Sequence, residues 1–400
     1  MSLGFFFNDE HKTLRESVQA FGKSVAPDIP TMDVEQRYDR NTILRMGEEG
    51  FLGVCIPEKY GGAGMDYISL GILSEELEYV DTSLRVVMSV HTGLNSLGLL
   101  QWANEEQKQK YLVPQAEGKR IATYALTEPD AGSDVAGMRS HAKLDGDYYM
   151  LNGEKMWISL ADTADQFLTF AYTDKSKGHK GISAFIVERE FKGVSTGSIK
   201  NKLGVRAGNT GFISYNDVPI PKENLVGEEG EGFKIAMTCL ENGRYTVAAG
   251  ALGLAKAAHD EAVKYAKERT TFGKPIAEHQ LVQRLLAHNV RGIDTAELLV
   301  YKAGWMKNQG LRNTRETALA KWHATNVSQE CADNAIQIHG GNGIAGGPDG
   351  FKVERFWRNA RAARIYEGTD QIQEIMQGQY AVGIRRDKPL RKELPKYNPQ

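Results

Sequence analysis

Glu367 is a lone carboxylate in the run Arg364-Ile365-Tyr366-Glu367-Gly368-Thr369-Asp370, held between an aromatic residue and a glycine. Thr369 then opens a stretch whose apolar positions Ile372, Ile375, Met376 and Tyr380 mix spacings of three and four, so one helical face is buried. The spacing predicts a short turn at a helix mouth, where Gly368 lets another molecule or backbone come close. Taken alone, Tyr-Glu-Gly-Thr reads as a solvated turn; the other clusters give it chemistry. In Tyr124-Ala125-Leu126-Thr127-Glu128-Pro129-Asp130-Ala131-Gly132-Ser133-Asp134 a strand end meets a loop of small residues. Thr127 and Ser133 offer hydroxyls and Gly132 exposes backbone N–H groups, which can receive the polar edge of a ring and a pyrophosphate. Met156-Trp157-Ile158-Ser159 sets a large aromatic beside a hydroxyl on a strand, a position that usually belongs to a core. Glu78, Arg85 and Ser89 are seven and four apart, so they share one helical stripe. A charge in an apolar pocket is costly unless it meets a substrate anion, but an Arg85–Glu78 ion pair without a role in selection fits the same spacing.

The elements that must position these residues fall into three blocks. Helical periodicity covers the first block: Leu14, Val18 and Phe21 mark one inner face, followed by Asn41–Glu49, Tyr67–Tyr79, Ser83–Ala103 and Glu105–Gly118. From Ile121 the pattern turns to short β-branched and aromatic runs at Ile121–Leu126, Ala142–Leu151, Phe167–Tyr172, Ile182–Val187 and Gly211–Val218, punctuated by glycine turns. Long amphipathic stretches return at Gly232–Arg269, Glu278–Asn308, Thr314–Gly340 and Thr369–Arg385. The expectation is an α+β chain: a helical domain over residues 1–118, a central antiparallel β-barrel-like domain over 119–230, and a C-terminal four-helix bundle over 231–400. The tail from Asp387, with Pro389, Pro395 and Pro399 among lysines, is expected to be mobile or to lie along a neighbouring subunit.

Composition removes several classes of function. Across 400 residues, Lys+Arg 49 against Asp+Glu 51 leaves a formal charge of -2, which gives no electrostatic case for nucleic acid or an anionic membrane surface. Apolar content of 41% and charged content of 25% are those of an ordinary globular protein. No apolar run reaches the roughly 20 residues of a membrane span. Met1-Ser2-Leu3-Gly4-Phe5-Phe6-Phe7 is too short and uncharged for a leader, so a cytoplasmic protein is expected. Cys55, Cys239 and Cys331 are scattered and lack metal spacing, which points to reduced thiols and no metal.

Five motifs in one order carry a resemblance: Thr127-Glu128-Pro129 through Ser133-Asp134, Trp157-Ile158-Ser159, Arg269-Thr270-Thr271-Phe272-Gly273-Lys274, Gln337-Ile338-His339-Gly340-Gly341-Asn342-Gly343, and Tyr366-Glu367-Gly368-Thr369. Together they resemble the acyl-CoA dehydrogenase family over nearly the whole chain. The resemblance implies FAD, with Tyr124, Leu126, Thr127, Gly132, Ser133, Trp157, Ile158 and Ser159 at the isoalloxazine and ribityl chain. It implies Arg269, Thr271, Phe272 and Gln280 at the ADP half, with Gln337, Gly340 and Gly341 contacting that half from another subunit, and Thr369 and Gln371 beside the cofactor again. A divided site implies an obligate oligomer, by resemblance a homotetramer built as a dimer of dimers.

The implied reaction removes two hydrogens from an acyl thioester: Glu367 takes the α-proton and flavin N5 takes hydride from the β-carbon. Burial can raise a glutamate well above its free pKa of about 4.3 and make it an effective base. Some members carry the base immediately before the arginine of Leu240-Glu241-Asn242-Gly243-Arg244; here that position is Gly243, leaving Glu367. Arg244, Glu241, Ser133 and Gly368 match positions near the CoA thioester, although Glu241 and Arg244 alone would read as an exposed i,i+3 pair. Arg85, Ser89, Glu78 and Tyr366 resemble the residues by which glutaryl-CoA dehydrogenases hold a distal carboxylate, whereas Met88-Ser89-Val90 is common in short-chain members. Acyl-CoA oxidase or flavin monooxygenase chemistry on the same fold, an unsubstituted short or cyclic acyl group, and a catalytically silent helical module remain alternatives. Electron-transfer flavoprotein is the implied acceptor, in fatty acid or amino acid degradation.

Overall fold

The computed structural model describes residues 6–398, so the leader reading of Met1 to Phe5 and the placement of Pro399 lie outside it. The first helix, Asp9–Val25, starts at Asn8, whose side chain accepts from His11 N at 2.8 Å in a capping box. Leu14, Val18 and Phe21 are buried on its inner face, as their spacing requires. Ile29–Glu35, Arg40–Glu48 and Tyr67–Val80 follow, and the last is buried over most of its length. The stretch expected as one helix from Ser83 is a continuous rod with a different centre. Thr82–Val87 is α-helical, Met88–Ser96 is a π-helix, and Leu97–Trp102 is α-helical again; the whole rod is buried. π-helical turns are rare and concentrate at functional sites. Here the wide turn carries Ser89 and Leu94 toward the site described below.

The central unit is an eight-stranded sheet in the order β6-β7-β3-β2-β4-β5-β8, with β1 paired to β4. Its strands are β1 Ala122–Ala125, β2 His141–Asp145, β3 Tyr148–Ser159, β4 Gln166–Tyr172, β5 Ile182–Glu188, β6 Val194–Ser198, β7 Thr210–Pro221 and β8 Leu225–Val226. The run Ala142–Leu151 is two strands, because Gly146 adopts φ 58 in the turn between β2 and β3. Most pairings are antiparallel, but β1 runs parallel to β4 and β2 touches β4 in parallel through His141↔Tyr172. The sheet is therefore mixed rather than wholly antiparallel.

The C-terminal part holds Gly232–Glu268, Gln280–Asn308, Thr314–His339 and Asp370–Ala381, near the four expected spans, and a further helix, Val353–Ala363, that the periodicity reading did not include. The long Gly232–Glu268 helix lies against Tyr67–Val80 so closely that a Cβ on Gly253 would stand 1.9 Å from Glu75 O. Burial of its alanine- and glycine-rich middle joins the helical blocks. The tail is neither loose nor directed away from its own chain: Lys392 Nζ donates to Trp102 O at 2.8 Å and Tyr397 N to Asn308 O at 3.1 Å. Among the described residues no helix is long and apolar enough to cross a membrane, and no group of His, Cys, Asp and Glu could hold a metal.

Candidate active site

Glu367 stands in the turn between the last two helices, and its backbone adopts φ 56, a left-handed conformation that only a few per cent of non-glycine residues take. Gly368 follows at φ 99. Two carbonyls of this turn are clamped from outside it. Arg244 Nε donates to Glu367 O at 2.9 Å, while Lys321 Nζ and Gln373 Nε2 donate to Gly368 O at 2.8 and 3.0 Å. Asp370 closes the turn through Arg364, whose Nε donates to Asp370 Oδ2 at 2.6 Å, and the Thr369 side chain caps the final helix at Ile372 N. Part of Glu367 remains exposed, but its Oε2 is buried and has no hydrogen-bond partner among the described residues. Burial raises the Glu367 pKa above the usual carboxylate range, although Arg85, Lys321, Arg244 and the nearby Ser89 hydroxyl oppose it.

The carboxylate is seated over Gly243. A Cβ there would lie 2.0 Å from Glu367 Oε2 and 2.6 Å from Leu94 Cδ2. The glycine in the long helix is what leaves room for the Glu367 carboxylate delivered from the turn. The reading of Glu241 and Arg244 as an exposed pair is overturned: Arg244 is buried against the turn, whereas Glu241 accepts from Thr314 Oγ1 at 2.6 Å and Arg312 at 3.2 Å.

Glu78, Arg85, Ser89 and Tyr366 meet beside Glu367, but not along one helical stripe: Glu78 is near the end of the Tyr67–Val80 helix, Asp81 is extended, and Arg85 and Ser89 belong to the rod that follows, Ser89 in its π-helical part. Arg85 is 1% exposed and Glu78 fully buried. Arg85 pairs with Glu78 through Nε, with Ser89 Oγ at 3.0 Å through NH1, and with the Tyr366 hydroxyl through NH2. Ser89 Oγ lies 2.7 Å from Thr246 Oγ1, and Thr82 Oγ1 donates to Glu78 Oε1 at 2.8 Å. Burial disfavours the Arg85 cation, but Glu78, Tyr366 and Glu367 outweigh it and raise its pKa. Space for the pair comes from Gly250, where a Cβ would stand 2.0 Å from Glu78 Oε2. Arg85 is thus ion-paired with Glu78, as one of the two sequence readings has it, and its other nitrogens reach Ser89 and Tyr366.

The residues expected at the flavin ring gather on the sheet and its loops. A register shift between Met156 and Ile158 throws Trp157 out of β3 at φ 61, leaving it 58% exposed rather than in the core. Met156 N donates to Thr127 O at 2.9 Å, which ties this bulge to the loop holding Gly132 and Ser133, both exposed. Thr123 Oγ1 donates to Ser159 O at 2.6 Å; Leu126 and Ile158 are buried beneath. Tyr124 is also buried, its hydroxyl on Ala236 O, so it supports the site from below. Lys155 and Glu128 form a buried ion pair at 2.7 Å, and Lys155 also donates to Leu126 O, which fixes the shape of the loop. Sequence reasoning passed over this pair, as it did Lys321, Gln373, Thr246 and Gly250. Lys321 had a signal: it interrupts the small-residue stripe Ala318, Thr325, Ser328 at helical spacing.

The residues expected at the ADP half stand elsewhere in the same chain. Arg269, Gln280 and Phe272 are exposed, the last by 96% at φ 50 in a two-stranded hairpin, with Thr271 Oγ1 3.2 Å from His279. Gln337, Gly340 and Gly341 are exposed near that hairpin, because Tyr265 stacks on His339 with centroids 4.2 Å apart. At about 1.5 Å per residue, Arg269 lies roughly 37 Å along the helix from Arg244. The structure does not bring this group to Glu367 within one chain. Thr369 and Gln371, by contrast, adjoin the base.

Three family models match in sequence: the acyl-CoA dehydrogenase N-terminal domain over residues 8–119, the middle domain over 123–218 and the C-terminal domain over 230–379. The chain belongs to the acyl-CoA dehydrogenase family. It is 41% identical to the short-chain specific acyl-CoA dehydrogenase of Clostridium acetobutylicum, over 94% of this chain and 98% of that protein. It is 39% identical to the caffeyl-CoA reductase–Etf complex subunit CarC of Acetobacterium woodii, over 93% and 98%. A solved glutaryl-CoA dehydrogenase in complex with glutaryl-CoA superposes with a TM-score of 0.92 at 36% identity, covering 98% of each chain. The family is one of oxidoreductases whose cofactor is FAD, and the residues here fit that group: Trp157 is an outward aromatic face, and Gly132, Gly340 and Gly341 open onto free space where a Cβ would meet nothing within 4 Å.

Proposed function

We propose that this acyl-CoA dehydrogenase acts on a short dicarboxylic, glutaryl-like acyl-CoA, with Glu367 as the base and Arg85 facing the distal carboxylate. The observation that carries the reading is Arg85, a buried cation hydrogen-bonded to Tyr366, the residue next to the base, and to Ser89. Its guanidinium already has Glu78, which favours a second reading in which the pair is neutral and the substrate is an unsubstituted short acyl group.

Glu367 removes the α-proton, and burial supplies the basicity this needs. FAD, when bound, accepts the β-hydrogen as hydride. The Glu367 N–H has no acceptor among the described residues, which leaves it to donate to the thioester carbonyl as enolate character develops. Thr127, Gly132, Ser133, Trp157 and Ser159 would hold the flavin end, with Thr369 and Gln371 beside it. Arg269, Phe272, Gln280, Gln337 and Gly341 would hold the ADP end of a neighbour's cofactor, which makes the enzyme an oligomer, by family resemblance a tetramer. Electron-transfer flavoprotein is the expected acceptor, a partner class that the Acetobacterium relative carries in its name.

Anaerobic titration of the flavin-loaded protein with butyryl-CoA and glutaryl-CoA tests the reading. Glutaryl-CoA should bleach the flavin at lower concentration, and Arg85→Ala should cut kcat/KM for glutaryl-CoA by about 100-fold while sparing butyryl-CoA. Equal losses on both substrates would leave the unsubstituted acyl group as the substrate, and failure of either to bleach the flavin would defeat both readings.

A further inference from the structure

Lys321 is a buried cation that the reaction above does not use. It lies on the Thr314–His339 helix, is fully buried, and its one hydrogen bond among the described residues is to Gly368 O at 2.8 Å. That carbonyl belongs to the residue directly after the base, in a turn whose two central residues are both left-handed. In the same turn and the helix it opens, Glu367 Oε2, Asp370 Oδ1 and Gln373 Oε1 are buried and have no hydrogen-bond partner among the described residues.

We propose that Lys321 is a positioning residue for the dehydrogenation assigned above: its ammonium group clamps the Gly368 carbonyl and sets the charge facing Glu367, so that a helix outside the turn controls the orientation and proton affinity of the base. The inference rests on Glu367 being that base. Left-handed backbone at a glutamate costs of order 1 kcal/mol or more and persists only where surroundings over-determine it. Arg244 on one carbonyl and Lys321 with Gln373 on the next are those surroundings.

Charge gives the second half of the case. Burial brings the Lys321 pKa down to about 7, with Asp370 and Glu367 resisting and Arg244 and Arg85 reinforcing the fall. These groups face Lys321 from the final turn and helix, the long Gly232–Glu268 helix and the buried rod, and Asp370 is itself engaged by Arg364. Lys321 is therefore charged below neutral pH and loses its charge above it. Arg85 and Arg244 keep theirs, so Lys321 is the variable cation before the base. Glu367 ionises more readily while Lys321 is charged.

The test uses the flavin-loaded oligomer with butyryl-CoA and glutaryl-CoA across pH. Lys321→Gln keeps a donor for Gly368 O but removes the charge. It should raise the acid limb of the kcat/KM profile by about one pH unit and lower kcat at neutral pH by about 10-fold, with KM within about two-fold. The change should be the same for both substrates, unlike that of Arg85→Ala. Lys321→Arg keeps the charge at all pH and should restore the acid limb. Infrared absorption of the protonated carboxyl, assigned by its loss in Glu367→Gln, should move by the same amount without turnover. An acid limb and carboxyl titration that stay in place in Lys321→Gln overturn the proposal. If Lys321→Gln does not fold, the wild type and Lys321→Arg decide: a carboxyl titration that differs between them above pH 7 upholds it, and identical titrations overturn it. If the dicarboxylic reading fails, butyryl-CoA alone still reads the Lys321 effect.

Discussion

The base and Gly243 contend for one point in space, since a Cβ on the glycine would come within 2.0 Å of Glu367 Oε2. A single methyl group is therefore enough to displace the carboxylate. Misplacement by about 1 Å can cost about 100-fold in rate, so Gly243→Ala should lower kcat by at least that factor while the protein stays folded and yellow. Stopped-flow reduction of the flavin measures it, and an unimpaired rate would mean that the carboxylate works from another position. Glu367 was legible in the sequence because a glycine after it and a helix start behind it define a turn. Its left-handed backbone was not, because positive φ at a glutamate is imposed by Arg244 and Lys321 from distant parts of the chain. The outward face of Trp157 was legible only through the resemblance: a β-bulge reverses which way a strand residue points, and strand alternation alone, which favours the core, does not reveal it.

The long C-terminal helices were readable from apolar period, since each buries one face. The Thr82–Trp102 rod was readable only as a helix. It is buried all round, so no amphipathic stripe marks where α gives way to π between Met88 and Ser96. The parallel pairing of β1 with β4 also escaped, since strand order is set by contacts far apart in sequence. The π-helix carries a pH liability. His91 is buried in it, its Nδ1 accepting from Ala122 N at 3.0 Å and its Nε2 facing Gln115 O at 3.1 Å. Burial lowers its pKa to about 4, from about 6.5 for a free histidine. The unfolded chain then binds more protons between these values, so stability is full above about pH 6.5 and falls as pH drops toward 4, by about 3 kcal/mol for this residue. Thermal unfolding across that range should show the fall, and His91→Gln should flatten it even though it starts less stable. A slope identical to that of the wild type would remove His91 as the cause.

At the scale of the molecule, the residues proposed for the two ends of the cofactor site stand far apart in one chain, which supports the proposal that neighbouring copies share each site. Lys321, against the base turn, and Gln337 share a helix and are separated by about 24 Å at 1.5 Å per residue, and Arg269 is farther still from Arg244. Phe272, 96% exposed beside Arg269, is an apolar side chain that a second copy would cover. Two copies related by a two-fold axis would each lend the other an ADP-binding end. Glu367→Gln destroys the base of one site, while Arg269→Glu spoils the neighbour's. Each variant alone should be inactive, the first with flavin bound and the second pale. Co-expressed in equal amounts, they should pair at random. About half the dimers would be mixed, and in each mixed dimer one of two sites would combine an intact Glu367 with an intact Arg269, so activity should return to about a quarter of wild type. Recovery requires that the two residues serve one cofactor from different chains. A mixture as inactive as its parents would mean that each chain completes its own site, and the helix length between Arg244 and Arg269 would then need a cofactor path that bends back along the sheet.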